Sequence, residues 1–126
     1  MGSVLKFIVA GFTVVAFLGT AYADGDPEKG RKVFRKCRIC HRISPDAKHG
    51  IGPILNNIFG AKAGSREGYR YSSQMKEAGE NGLDWDEDTL SEFLINPKTF
   101  FPGHRHAVPP YKGNNMDHLI AYLKTL

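Results

Sequence analysis

Cys37, Arg38, Ile39, Cys40 and His41 form the stretch with the clearest chemistry in this 126-residue chain. Two thiols at i and i+3 project from one helical turn and can add to the two vinyl groups of a haem. A histidine directly after the second cysteine is then held beneath the iron as its proximal ligand. C-x-x-C-H is the attachment signature of c-type haem. Other uses of the pair fit less well. A disulfide across two intervening residues closes a very small loop and stabilises little. A thioredoxin-type C-x-x-C belongs at a strand-to-helix junction, whereas this pair ends a helical segment with no strand pattern around it. A structural zinc site needs four ligands, and no second Cys or His pair has suitable spacing.

Haem attachment of this kind takes place in exported chains, and the N-terminus has an export pattern. Lys6 precedes a 12-residue apolar run, Phe7 to Leu18, and Ala21-Tyr22-Ala23 supplies an A-x-A cleavage site. Residues 1–23 therefore read as a secretory signal peptide, with 24–126 as one small domain in the periplasm. An uncleaved anchor is the alternative, but the 17 residues from Phe7 to Ala23 stand at the lower edge of spanning length. The remaining 103 residues carry 16 basic and 13 acidic side chains. That surplus is too small for a nucleic-acid binder and suits a monomer that meets acidic proteins. A domain of this size has a thin core that a prosthetic group can reinforce.

The elements that must position the cysteines and histidine are helical. Asp26 caps a first helix with Pro27 at its first position and Glu28 toward its positive end. Gly30 stands mid-helix, at a cost of about 1 kcal/mol against alanine, which suggests close approach of another helix. Glycines and Pro53 punctuate Ser44 to Tyr71, with a short helical turn expected at Ile54 to Phe59. Ser72 to Gly82 reads as two helical turns ending at glycine. Asp86 caps a third helix carrying Leu90, Phe93 and Leu94, which Pro97 stops. Met116, Leu119, Ile120 and Leu123 recur at helical spacing in a terminal helix with an asparagine cap. No run alternates with period 2 for long, so the class is all-α with long loops.

From residue 24 onward the sequence resembles the class I cytochromes c of the mitochondrial and α-proteobacterial type. The resemblance lies in GDPEKGRKVFRKCRICH, HGIGPIL, FGAKAGSREGYRYS, WDEDTLSEFLINPKTFFPG and HLIAYLK, in the family's order. It implies one haem c attached through Cys37 and Cys40, with its iron on His41. The Pro53 carbonyl would accept a hydrogen bond from His41, and Gly30 and Phe34 would pack on Tyr122. Tyr71 and Trp85 would donate to a haem propionate, and His49 would tie loops together through backbone groups. Departures accompany it: Ala61 stands at a family arginine and Phe93 at the tyrosine that hydrogen-bonds the axial sulfur.

The largest departure is PGHRHAVPPY, Pro102 to Tyr111, where the family has P-G-t-K-M and a methionine ligand. Counting from Gly103 places His106 at the methionine; a second alignment, on the following Pro-Pro, places Val108 there. His106 is the expected sixth ligand, with His104 as the alternative, Met116 assigned to the core, and a vacant or water-filled position also open. The implied function is a soluble one-electron carrier, not an enzyme, whose bis-histidine iron has a lowered potential. Its partners would be acidic redox proteins (a dehydrogenase, oxidase or reductase) meeting a rim of Lys36, Lys98, Arg105 and Lys112. The alternative is a haem-based sensor binding NO or CO at an open or labile sixth position; peroxidase-like activity has only the distal histidine in its favour.

Overall fold

The computed structural model describes residues 25–104 and 106–126. The expected signal peptide and Arg105 lie outside the described residues. Five helices follow in order: α1 (Pro27–Phe34), α2 (Ser73–Glu80), α3 (Glu87–Ile95), α4 (Pro97–Phe100) and α5 (Asn115–Leu123), with a 3₁₀ turn at Cys37–Ile39 between α1 and α2. The pairing of Lys62 with Asp84 is an isolated bridge, and no strand is built among the described residues. No helix there is long and apolar enough to cross a membrane.

α1 begins as the sequence suggests. The Asp26 side chain accepts hydrogen bonds from the Glu28 and Lys29 N–H groups, and Pro27 takes the first turn. Gly30 is there because α5 crosses it: a Cβ at that position would lie 1.9 Å from the His118 carbonyl oxygen and 2.7 Å from Tyr122 Cβ. The Phe34 and Tyr122 rings meet at 5.2 Å between centroids beside fully buried Leu119. His118, a residue with no expected role, accepts the Asp26 N–H on Nδ1 at 2.8 Å and ties the start of α1 to α5.

α3 is held by a reciprocal capping box between Asp86 and Thr89, and its Leu90, Phe93 and Leu94 enter the core. Three local expectations change. Pro97 opens α4 as well as ending α3, because Asn96 accepts the Thr99 N–H and caps the new turn. Asn114 precedes α5 without a side-chain cap. The segment Ile54 to Phe59 is not helical: Asn57 has φ 53°, and the Arg66 guanidinium donates to the carbonyls of Asn56 and Asn57. Those carbonyls are thereby drawn away from any helical ladder.

Candidate functional site

The 3₁₀ turn after α1 sets the three reactive groups. Cys40 N–H and His41 N–H both bond back to the Cys37 carbonyl, at 3.1 and 2.9 Å. Cys37, Cys40 and His41 then line one cavity of about 380 Å³, while the intervening Ile39 is 78% exposed. The two sulfurs are free thiols. Burial raises the Cys37 thiol above its ordinary value, and neighbouring Cys40 adds to this.

His41 is buried and fixed from two sides. Its Nδ1 lies 2.7 Å from the Pro53 carbonyl, which can only accept, so Nδ1 carries the proton and Nε2 keeps its lone pair. Behind the ring stands Gly52, where a Cβ would come within 2.4 Å of Cε1. The loop supplying both residues is tied by His49, whose Nδ1 accepts from Ile54 N–H at 3.1 Å and whose Nε2 donates to the Glu67 carbonyl at 2.8 Å. His49 is thus a loop clamp outside the cavity lining.

Across the cavity, the loop after α4 turns at Gly103, with φ 83°. It is held by Gln74 donating to the Pro102 carbonyl at 2.7 Å and by His104 N–H on the Phe101 carbonyl at 2.9 Å. The His106 ring faces His41 at 5.8 Å between centroids. Imidazole–metal bonds of about 2.0 Å on each side, plus the two half-rings, require a separation of roughly 6 Å. The observed centroid separation is of that size, with the ring planes tilted by 56°. His106 Nδ1 is buried without a partner among the described residues, and the ring packs on Phe93 at 5.1 Å. Burial pushes the His106 imidazole down to about 4, helped by His41 and His104; burial also lowers His41, against the Pro53 hydrogen bond, and His104. Neutral imidazoles are the form that binds metal.

His104 stacks beside His106 at 6.0 Å and also lines the cavity. Val108, Tyr71 and Trp85 line it too; Met116 packs against the hydrophobic core. Lys36 stands on the rim, whereas Lys98 and Lys112 are exposed outside the lining. Among the lining residues without an expected role are Arg70, which is exposed, and Tyr111, whose buried hydroxyl has no partner among the described residues. No pattern in the sequence singles out either one.

A cytochrome c2 of Rhodomicrobium vannielii is 46% identical over 123 residues, covering 96% of this chain and 94% of that protein. The chain belongs to the class I c-type cytochromes. Its cofactor is accordingly one haem c, attached through Cys37 and Cys40, and its activity is electron transfer rather than enzymatic turnover. A cytochrome c2 of Afifella marina is 44% identical to this cytochrome over 97 residues, 76% of the chain and 78% of that protein. Among solved structures, cytochrome c2 from Rhodospirillum centenum superposes with a TM-score of 0.74 at 32% identity, covering 80% of this chain and 98% of the other. Cytochrome cH from Methylobacterium extorquens gives 0.70 at 38% identity, covering 81% and 100%. No protein-family model matches the chain. The gas-sensing alternative gains no support from these relatives.

Proposed function

We propose that this cytochrome is a periplasmic one-electron carrier whose haem iron is held between His41 and His106 and works at a lowered potential. The observation that carries the proposal is the facing of the two imidazoles, 5.8 Å between centroids, across the cavity that Cys37 and Cys40 line. Bound there, the haem supplies a single redox centre cycling between Fe(II) and Fe(III). The chain supplies the rest. Pro53 fixes the His41 ring and, by accepting a hydrogen bond from Nδ1–H, makes Nε2 a stronger donor. His106 brings a second nitrogen donor where a thioether would raise the potential. Phe93, which has no hydroxyl to offer a sulfur, packs against the His106 ring at 5.1 Å with the planes tilted by 37°. Buried Phe34, Leu90, Leu94 and Leu119 keep water from the cavity wall.

Tyr71 and Trp85 are the proposed donors to a haem propionate, and residues 1–23 the signal that brings the chain to the periplasm. Lys36, Lys98 and Lys112, with Arg105 between them in sequence, are the proposed docking cations for acidic dehydrogenases, oxidases or reductases. His104 is the alternative distal ligand; of the two histidines, His106 is the one whose ring faces His41.

The test is electron paramagnetic resonance and near-infrared magnetic circular dichroism of the ferric holoprotein at neutral pH. A low-spin centre with a bis-imidazole charge-transfer band is expected. A high-spin or mixed signal would overturn the ligand pair and point to an open or exchanging sixth position.

A further inference from the structure

Among the described residues, the cavity between His41 and His106 has no aspartate or glutamate in its lining, yet it has two cations, the exposed Lys36 and Arg70. Neither cation enters an ion pair with a described residue. A cavity with cations and no acids on its wall is suited to a ligand that brings negative charge. Haem c brings two carboxylates, on pyrrole rings other than those that carry the thioethers. Lys36 immediately precedes Cys37 and would therefore stand at the thioether edge of a bound macrocycle, away from the carboxylates. Of the two lining cations Arg70 is left to meet them, while Arg66, outside the lining, directs its guanidinium to the Asn56 and Asn57 carbonyls.

The segment that carries Arg70 is well anchored. Tyr69 donates its hydroxyl to the Ile51 carbonyl at 2.7 Å, and the Tyr69 and Tyr71 rings meet edge-on at 4.8 Å. Three residues further on, α2 begins at Ser73 with no acidic residue in its first turn. The positive end of its dipole therefore adds to the Arg70 charge at the same end of the wall, where Ser72 also lines the cavity.

We propose that Arg70 is the cationic partner of a haem carboxylate, an inference that rests on the haem occupying this cavity. Its guanidinium offers a planar pair of N–H donors that matches a carboxylate, as a lysine ammonium does not. The pair neutralises one propionate at the cavity mouth and favours the reduced haem less than an unpaired cation would, but more than an unpaired carboxylate.

The experiment uses holoprotein reconstituted or expressed with haem labelled by ¹³C at both carboxylates. Reduced-minus-oxidised infrared spectra and midpoint potentials are compared for the native protein, Arg70→Gln, Arg70→Lys and Lys36→Gln. Arg70→Gln is expected to shift a labelled carboxylate band and lower the potential. Arg70→Lys should hold the potential near the native value while still moving the band, because charge is kept and the fork is lost. Lys36→Gln should leave the band in place. If Arg70→Gln does not yield holoprotein, the band in Arg70→Lys decides alone. Bands unmoved by both Arg70 substitutions, or moved as far by Lys36→Gln, would overturn the assignment. Attached haem with unmoved bands would overturn only Arg70; haem that is released on denaturing the native protein would overturn the cavity reading as well.

Discussion

Under the proposed ligation, replacing the imidazole of His106 by a thioether exchanges a nitrogen donor for a soft sulfur that favours ferrous iron. His106→Met is therefore expected to raise the midpoint potential, by a sizeable part of the roughly 0.8 V that axial ligands span. A potentiometric titration that finds the native value would remove His106 from the iron. At this scale the sequence was legible where chemistry and spacing coincide: Cys37, Cys40 and His41 could be placed from their adjacency alone. His106 needed a counted frame from Gly103. Tyr111 and Arg70 were illegible, since their placement in the cavity wall depends on chain segments 30 or more residues from the cysteines.

Helix ends and crossings carry their own predictions. Gly30 sits against the His118 carbonyl, so Gly30→Ala forces α1 and α5 apart and is expected to cost about 1–3 kcal/mol, typical of overpacking. Urea unfolding of the holoprotein measures it; an unchanged midpoint would mean the helices can shift freely. The Asp86 carboxyl is held below its ordinary value by the Thr89 N–H and then by the Thr89 hydroxyl. Its pKa is thus lower in the folded than in the unfolded chain. Its stabilisation is complete above the ordinary carboxylate value and fades as pH falls through and below it. Asp86→Asn, which can still cap but does not titrate, should flatten the loss of stability below about pH 4. Matching acid profiles for native and variant would assign that loss to other carboxylates.

On the scale of the molecule, charge and exposure govern encounters with partners. Ile51, 77% exposed, lines the same cavity as the exposed cations Lys36 and Arg70. The second-order rate of electron transfer to an acidic partner is expected to fall severalfold from low salt to 1 M salt, as the screening length shrinks to about 3 Å. Lys36→Glu should lower the low-salt rate and weaken its salt dependence. A stopped-flow rate indifferent to ionic strength would exclude electrostatic docking.

Helix positions and the attachment motif could be read from the chain because both are local. Asp26, Ser72 and Asp86 cap helices within three residues of themselves, and C-x-x-C-H acts within five. The loop from Ile54 to Phe59 was misread because the Arg66 guanidinium, ten residues away, captures its carbonyls. The facing of His41 and His106, 65 residues apart, likewise arises from packing: α3 delivers Phe93 against one ring and Gly52 leaves room for the other. Short-range hydrogen bonds and covalent spacing are written into neighbouring residues, whereas the distance across a cavity is set by every element that closes around it.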